Sequence, residues 1–254
     1  MADYDFTGKT VVVTGSARGI GRCIGESFYK AGANVAFCSI SQGGKEELME
    51  EVAGSDRSRI MAKAVDVSNI ESVDAFFSAV VEKFGGFDVL VNNAGILTNE
   101  DICDITEEQW YKVMDTNLKS MLFTCQWFAK YHREAKTGGN IVNIASVSSV
   151  TYIPNNLLYN ISKAGVVTLT KTLARGLGPD GIRVNAVGPG STPTDINASI
   201  YADKQKEADL CAKLPLGRRA EKQDIANSVM FLASDDASYL TGQVIYAEGG
   251  WLLV

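Results

Sequence analysis

Tyr159 and Lys163, a tyrosine and a lysine four residues apart, have the residue types and the spacing of an acid–base pair. The segment around them has a helical pattern, so both side chains are expected on one face of a helix. A free tyrosine has a pKa of about 10, so acid–base work near neutral pH requires stabilisation of the phenolate by roughly 4 kcal/mol, at about 1.36 kcal/mol per pKa unit. A cation within several ångströms supplies much of that energy. Taken alone, however, the pair is better explained as a surface tyrosine beside a solvated lysine.

A glycine-rich loop near the N-terminus gives the second chemical signal. The β-branched run at 9–14 ends in Gly15-Ser16-Ala17-Arg18-Gly19-Ile20-Gly21, after which the pattern becomes helical. Such a loop lets the backbone approach a pyrophosphate closely and directs the free N–H groups of a helix N-terminus at the anion. The spacing is GxxxGxG and differs from the usual GxGxxG fingerprint. We expect a dinucleotide site here, with a purely structural glycine turn as the alternative.

Further motifs follow in order along the chain. They are Asn92-Asn93-Ala94-Gly95 after the apolar run 87–91, Asp115-Thr116-Asn117-Leu118, Ser146 after the run 141–145, Pro189-Gly190 after the run 183–187, and Thr241-Gly242-Gln243 with Glu248-Gly249-Gly250. With the glycine loop and the tyrosine–lysine pair, these motifs resemble the classical branch of the short-chain dehydrogenase/reductase family. The likeness runs from about residue 6 to the end of the chain.

The resemblance implies an NAD(P)(H)-dependent oxidoreductase that interconverts a ketone and a secondary alcohol by hydride transfer. By this resemblance Tyr159 is the acid in reduction and the base in oxidation, and Ser146 hydrogen-bonds the substrate oxygen. Lys163 would lower the pKa of Tyr159 and hold the nicotinamide ribose, and Asn117 would bind a water that connects Lys163 to solvent. The remaining cofactor contacts that the resemblance implies, beyond the glycine loop, are Asp66, Val67, Asn93, Ala94, Gly95, Pro189, Gly190, Thr192 and Thr194.

Some of these assignments have structural alternatives. Ser148 and Ser149 compete with Ser146, since any of the three could satisfy backbone groups in a loop; the family spacing selects Ser146. Asn117 is a poor residue for a helix interior, which suggests a local irregularity with its own polar partner. A helix-exposed asparagine is the alternative there, and Asp66 could merely cap the helix that follows it.

The elements that must position these residues are expected to form an α/β fold. Strand-like runs at 9–14, 34–39, 60–66, 87–92, 140–145, 182–187 and 243–247 alternate with helical segments, the pattern of βαβ units and a parallel sheet covered on both faces. No Pro/Ser-rich linker divides the chain. We therefore predict one Rossmann-type domain over residues 1–254, with a doubly wound parallel seven-stranded sheet and a substrate lid at about 191–214.

The choice between NADP and NAD depends on the end of the second strand. Ser39 occupies the place where a carboxylate would bind the ribose 2′-hydroxyl, and the next acidic residue is Glu46. Arg18 in the glycine loop could pair with a 2′-phosphate. These residues favour NADP, with NAD as the alternative because Ile40 is not a second basic residue.

Composition excludes several classes of function. A net charge of -6 and a pI near 5.0 argue against a nucleic-acid partner. No apolar stretch approaches a membrane span, and the acidic N-terminus does not suggest a signal peptide, so a cytoplasmic protein is expected. Five scattered cysteines indicate small core residues and no metal site. The single histidine, His132, has charged neighbours and is expected at the surface.

The sequence leaves the substrate open. An apolar pocket is expected from six residues, which suits a 3-oxoacyl thioester, a steroid or a small secondary alcohol; they are Ile96, Leu97, Val147, Tyr152, Ile153 and Pro154. None of them is charged. The alternatives to a small-molecule oxidoreductase are a lyase or epimerase on the same fold, which would not consume cofactor, and a cofactor-binding protein without activity.

Two helical segments and an apolar tail indicate a homotetramer. The segments 107–131 and 157–177 have more apolar positions than one sheet-facing stripe requires. The positions are Met114, Leu118, Met121, Leu122, Cys125 and Phe128 in the first, and Leu158, Val166, Leu169, Leu173 and Leu177 in the second. The apolar tail, residues 251–254, would be covered by a second contact unless it folds back on its own domain.

Overall fold

A computed structural model describes residues 4–41, 43–194 and 203–253. These residues form one seven-stranded sheet with the order β3-β2-β1-β4-β5-β6-β7. Its neighbouring strands are parallel. The strands are β1 Thr10–Thr14, β2 Asn34–Ser39, β3 Ile60–Ala64, β4 Val89–Asn92, β5 Gly139–Ile144, β6 Ile182–Pro189 and β7 Val244–Ala247. The predicted fold is confirmed, and each strand lies within about two residues of its expected place.

Helices cover both faces of the sheet. They are α1 Gly19–Lys30, α2 Lys45–Ala53, α3 Ile70–Phe84, α4 Glu107–Met114, α5 Ser120–Ala135, α6 Leu157–Leu177, α7 Lys204–Lys213 and α8 Lys222–Ala233. The strands read as continuous apolar runs because each face is buried. Val11 and Val13 pack with residues of α1 and α8, whereas Val12 packs on the other face with residues of α3, α5 and α6.

The strand order places a ligand crevice at one edge. β1 lies between β2 and β4, so the chain reverses its direction of travel across the sheet there. In open α/β sheets, ligands bind outside the carboxyl ends of the strands at such a switch point. The loops that follow β1, β4 and β5, which carry most of the predicted site residues, meet at this edge.

His132 is buried, and the expectation of a surface position is wrong. Its Nε2–H donates to the carbonyl oxygen of Phe87 at 3.1 Å, so Nδ1 accepts from the Thr137 hydroxyl at 2.8 Å. Burial lowers the pKa of the imidazole, against the opposing effect of the Phe87 hydrogen bond. The physical reason is the helix period: His132 lies four residues after Phe128, on the buried face of α5, and the two rings pack with centroids 4.2 Å apart.

The cysteines are only partly the core residues that were expected. Cys38 and Cys125 are buried, and burial raises the pKa of each thiol to about 12. Cys23 and Cys211 are half-buried, and Cys103 is exposed in the loop before α4. Among the described residues, no group of His, Cys, Asp and Glu side chains could hold a metal ion. No helix within those ranges is long and apolar enough to cross a membrane.

Candidate active site

The glycine loop between β1 and α1 packs directly on the Asn93–Ala94 turn. Gly15 has a φ of +63°, and a Cβ placed on it would lie 2.6 Å from the Cα of Ala94. A Cβ on Gly21 would collide with the side-chain amide of Asn93. Both positions therefore need glycine, the first for conformation and close approach and the second for close approach alone. Glycine at these two positions therefore lets the loop pack tightly against the turn after β4.

The N-terminus of α1 suits an anion. The first turn of this helix has no acidic residue, and its free N–H groups carry the positive end of the helix dipole. Gly19 begins the helix with a φ of +64°, close to Thr194 of the loop after β6. Arg18, immediately before it, is exposed at the rim. These features fit the phosphate groups of a dinucleotide.

Several predicted cofactor residues have their side chains engaged within the protein. The Ser16 hydroxyl donates to Val13 O at 2.7 Å and accepts from Cys38 N at 3.0 Å, and its own N–H donates to Cys38 O at 2.9 Å. Ser16 therefore joins β1 to β2, with its polar groups turned away from the crevice. The Asn93 amide donates to Thr14 O and Gly15 O, both at 3.0 Å. It fixes the loop geometry that leaves room for a ligand.

The other predicted cofactor residues line the same edge. One Asp66 carboxylate oxygen accepts from the N–H and the hydroxyl of Ser68, at 2.9 and 2.7 Å, so this side chain also holds the turn before α3. Gly190 N donates to Ala247 O at 2.9 Å, and the buried Thr192 hydroxyl donates to Gly190 O at 3.2 Å. The remaining predicted cofactor residues also lie in the part of the chain that the structure describes. They are Ile20, Ser39, Val67, Ala94, Gly95, Pro189 and Thr194. Residues 195–202 of the predicted lid lie outside the described residues.

Asn117 lies in an irregular turn, as its poor helix propensity suggests. Residues Asp115–Lys119 form a π-helical turn between α4 and α5, and Asn117 is fully buried in it. Its Oδ1 accepts from Ile96 N at 2.8 Å, and its Nδ2 donates to Ile96 O at 2.9 Å and to Ser162 Oγ at 3.1 Å. The side chain thus joins the loop after β4 to helix α6. π-turns of this kind are frequent at functional sites.

Ser146, Tyr159 and Lys163 converge at the carboxyl end of β5. Ser146 follows β5, accepts from Ser148 N at 3.1 Å and lies close enough to the phenol of Tyr159 to influence its pKa. The Lys163 ammonium lies 5.6 Å from the centroid of the Tyr159 ring and donates to Ile144 O at 2.7 Å. Helix α6 holds the tyrosine and the lysine on one face, as their spacing predicts.

The two titratable groups have shifted pKa values. Burial lowers the pKa of Lys163 to about 8. Burial also raises the pKa of Tyr159, while the hydrogen bond from Ser146 acts in the opposite direction. The expected lowering of the Tyr159 pKa is therefore not reached in the protein alone, because the loss of hydration outweighs the other contributions. A further positive charge next to the phenol would be needed, and an oxidised nicotinamide ring carries one.

A small polar space joins these groups. A Cβ placed on Gly95 would lie 3.4 Å from Asn117 Oδ1 and 3.7 Å from Lys163 Nζ. Glycine at this position therefore keeps open the approach between the amide of Asn117 and the ammonium. This arrangement fits a water held between them, as the proton relay to solvent requires.

The cavity next to the catalytic loop differs in part from the expected apolar pocket. A cavity of about 630 Å³ is lined by Tyr152, Ile153 and Pro154, as expected, but Ile96, Leu97 and Val147 are not among its lining residues. Glu100 and Asp101, which were not expected there, also line it and add charge to an otherwise largely apolar wall. A larger cavity, of about 940 Å³, lies at the opposite edge of the sheet, around Lys9, Asp88 and Arg183. It is remote from the residues that could do chemistry.

The structure adds residues that sequence reasoning missed. Ser162 bonds Asn117, and Glu100 accepts a hydrogen bond from the first turn of α6. Tyr246 of β7 hydrogen-bonds Ser149 Oγ at 2.9 Å, and Ser149 Oγ donates to Ser146 O at 2.6 Å. The single hydroxyl hydrogen of Ser149 is used in the bond to Ser146 O, so the Tyr246 hydroxyl is the donor to Ser149 Oγ. These contacts join residues far apart in sequence, so no local pattern indicates them.

Comparison with known proteins agrees with this geometry. A family model described as enoyl-(acyl carrier protein) reductase matches residues 15–252. The 3beta-hydroxysteroid dehydrogenase 1 of Eggerthella lenta is 39% identical over 253 residues, which cover 98% of this chain and 95% of that protein. The 3-oxoacyl-(acyl-carrier-protein) reductase FabG of Staphylococcus aureus is 40% identical over 249 residues, 95% of this chain and 97% of that protein.

A solved structure gives the same result for the fold. A single-residue variant of the actinorhodin polyketide ketoreductase with NADPH superimposes with a TM-score of 0.88 at 30% identity, covering 95% of this chain and 96% of that one. The agreement therefore extends over nearly the whole length of both chains.

Proposed function

Because the chain belongs to the short-chain dehydrogenase/reductase family and is an NAD(P)-dependent oxidoreductase acting on carbonyl and alcohol groups, we propose that Tyr159 supplies the proton in its reaction and that NADP(H) is its preferred cofactor. The observation that carries the proposal is the convergence of Ser146, Tyr159, Lys163 and Asn117 at one edge of the sheet. A bound nicotinamide supplies the hydride, so the protein has to supply only position and the proton.

The protein's part in carbonyl reduction follows from the contacts. The Ser146 hydroxyl and the Tyr159 phenol are neighbours, so a substrate oxygen placed between them meets two O–H groups. Both stabilise the negative charge that develops on that oxygen, and Tyr159 gives up its proton as the alcohol forms. In oxidation the same phenol, deprotonated, takes the proton from the alcohol.

Lys163 and Asn117 are proposed to help Tyr159 release its proton and regain it. The buried ammonium stabilises the phenolate that is left after proton donation. Asn117, whose amide is fixed by Ile96 and Ser162, holds the far end of a water path from Lys163. Gly95 keeps the space between them open. The phenol is thereby reprotonated without opening the active site.

The preference for NADP rests on charge at the rim of the crevice. Ser39 ends β2 without a carboxylate, and Ile40 beside it is exposed. Arg18 is exposed at the N-terminus of α1 on the neighbouring loop. A 2′-phosphate here would be attracted by the guanidinium of Arg18, and Ser39 brings no carboxylate to repel it. The ketoreductase with NADPH, a protein of the same fold, supports this proposal.

Changing Ser39→Asp is expected to shift the cofactor preference toward NAD, because the new carboxylate repels the 2′-phosphate and accepts from the ribose hydroxyl. We expect the ratio of kcat/KM for NADP to that for NAD to fall by at least about tenfold, which corresponds to about 1.4 kcal/mol. The matched control is Ser55→Asp, which adds the same charge at an exposed turn after α2. An unchanged ratio in Ser39→Asp would show that the 2′ position is recognised elsewhere.

The substrate is proposed to be a ketone with an apolar body, of the 3-oxoacyl, steroid or small-alcohol type. The apolar side chains of the cavity and the names of the relatives support this class. A panel of acetoacetyl-CoA, a 3-oxosteroid and cyclohexanone, each with NADPH and NADH, tests it by absorbance at 340 nm. Crotonyl-CoA belongs in the panel, since turnover of that compound alone would indicate reduction of a carbon–carbon double bond.

The proposed homotetramer rests on only part of the expected residues. Met121, Cys125, Phe128, Leu158, Val166 and Leu177 are buried in the chain's own core. The large apolar side chains exposed on α4, α5 and α6 are Leu122, which was expected, and Trp110, Tyr111 and Ile161, which were not. Leu216 N donates to Gly249 O, so the segment just before the tail packs on its own domain, but Leu253 in the tail is 83% exposed. A partner chain would cover both surfaces.

Light scattering at micromolar concentration is expected to give the mass of four chains. Deleting residues 251–254 should reduce the tetramer to dimers if the tail forms the second contact, and Tyr111→Lys, which puts a charge on the helical surface, should weaken the first. The matched control is Tyr239→Lys, on an exposed loop before β7. A mass of one chain for the unmodified protein would refute the oligomer.

A further inference from the structure

Glu100 is a buried acidic residue on the loop between β4 and α4, and it hydrogen-bonds the start of helix α6. It is only 6% exposed. Its Oε1 accepts from the N–H of Leu158 at 3.2 Å, and its own N–H donates to Asn155 O at 2.8 Å. Within the described part of the chain, Oε2 has no hydrogen-bond partner. Glu100 therefore contacts the chain on both sides of the point where α6 begins.

The first turn of α6 depends on this contact. Helix N-termini leave several N–H groups without partners, and a nearby side chain normally caps them. Asn156, at the N-cap position, makes no capping bond with its side chain to any described residue. Asn155 before it has a left-handed φ of +61°. Glu100 supplies the missing acceptor, and its negative charge is favourable next to the positive end of the helix dipole.

The same loop is tied to α6 a second time. Ile96, four residues before Glu100, is held through both its N–H and its carbonyl by Asn117, and Asn117 also bonds Ser162. Ser162 lies one helical turn after Leu158. Residues 96–100 thus hold the first turn of α6 at two points, and Tyr159 lies between them. The tyrosine follows directly after the residue whose N–H Glu100 accepts.

We propose that Glu100 is a positioning residue for Tyr159: its carboxylate fixes the first turn of α6, and so sets where the phenol meets Ser146 and the substrate oxygen. The inference rests on the proposed function in treating Tyr159 as the proton donor. A reacting group that is displaced by about 1 Å can lose on the order of 10²-fold in rate, so loss of the contact acts on the chemical step. Among the described residues, Glu100 hydrogen-bonds Asn155 and Leu158 and not the glycine loop after β1, so the cofactor affinity is expected to change much less than kcat.

Two substitutions separate the hydrogen bond from the bulk of the side chain. Glu100→Ala removes the acceptor, and we expect kcat to fall by about tenfold or more while the Kd for the cofactor changes less than about twofold. Glu100→Gln keeps an amide oxygen for Leu158 N, and should restore kcat to within about threefold of the unmodified enzyme. The matched control is Asp104→Ala. Asp104 is an exposed acid on the same loop, and it does not line the cavity.

Hydrogen exchange of the cofactor-free protein gives a readout that does not depend on activity. The amides of residues 157–161 should exchange at least about threefold faster in Glu100→Ala, and at the original rate in Glu100→Gln and Asp104→Ala. Should Glu100→Ala not fold, Glu100→Asp, which withdraws the carboxylate by one methylene, is measured in the same way.

Unchanged kcat and unchanged exchange in Glu100→Ala would overturn the proposal, as would a Glu100→Gln enzyme as impaired as Glu100→Ala. A loss confined to cofactor affinity would overturn it too. If the unmodified protein reduces no carbonyl compound, the proposed function fails, whereas the exchange rates still decide whether Glu100 fixes this turn.

Discussion

Replacing Tyr159 by phenylalanine is expected to reduce kcat by about 10²–10⁴-fold, the range that general acid–base catalysis contributes. The ring remains and the hydroxyl is lost, so the proton donor next to Ser146 disappears. The cofactor contacts assigned to Lys163 and the glycine loop are untouched. We therefore expect the cofactor Kd, measured by fluorescence titration, to change less than about threefold, or roughly 0.6 kcal/mol.

Tyr239→Phe is the matched control for this change. Tyr239 is exposed on the loop before β7, beside the cavity at the opposite edge of the sheet, so loss of its hydroxyl should leave kcat within about twofold. Residual activity of Tyr159→Phe above about one per cent would contradict its assignment as the proton donor. General acid catalysis contributes at least about 10²-fold, so loss of the donor should leave no more than about one per cent of the activity.

Lys163→Ala is expected to impair both cofactor binding and catalysis. The ammonium is buried and donates to Ile144 O at 2.7 Å, so its removal takes away the charge next to Tyr159 and leaves that carbonyl without its donor. We expect kcat to fall by at least about 10²-fold and the cofactor Kd to rise by about tenfold, or 1.4 kcal/mol. Lys171→Ala, an exposed lysine two turns further along α6, is the control. A Lys163→Ala enzyme with unchanged affinity would contradict the ribose contact.

The pKa of Lys163 gives this prediction a pH signature. Burial lowers that pKa to about 8 in the cofactor-free protein, so the ammonium is present below pH 8 and is lost as the pH rises through it. If the ammonium holds the ribose, cofactor affinity should fall above pH 8 in the unmodified protein and show no such step in Lys163→Ala. The free energy of unfolding should change with pH in the opposite direction. The unfolded chain binds the Lys163 proton more tightly than the folded chain does, so burial of the ammonium costs stability below pH 8. That loss is recovered as the pH rises above 8.

The sequence was sufficient for the sheet because its strands are buried on both faces. Val11 to Val13 and Val89 to Val91 are apolar at every position, and such runs, separated by helical segments, fit a parallel sheet and little else. Asn117 could be assigned to an irregular turn because asparagine inside a helix is unfavourable unless its side chain has a specific partner. Local propensity and the final structure agree at both places.

The features that sequence reasoning missed depend on contacts between distant residues. Glu100 looks like a solvated loop acid, and only folding brings it to Leu158, 58 positions away. Ser16 stands in a phosphate-binding motif, yet its hydroxyl is used between β1 and β2. His132 is a different case, because a local pattern could have placed it correctly. Its spacing of four residues from Phe128 puts it on the buried face of α5, but its charged sequence neighbours led to the prediction of a surface position.

The transfer of a labelled hydride tests the central claim most directly. The enzyme is given NADPH deuterated at nicotinamide C4, on one face and then on the other, with a ketone that the substrate panel shows to be turned over. Mass spectrometry should show one deuterium in the alcohol for one of the two labelled cofactors, with one cofactor oxidised for each alcohol formed. Product that forms without net cofactor oxidation, as a lyase or an epimerase would give, or alcohol that contains no deuterium from either cofactor, would contradict the account.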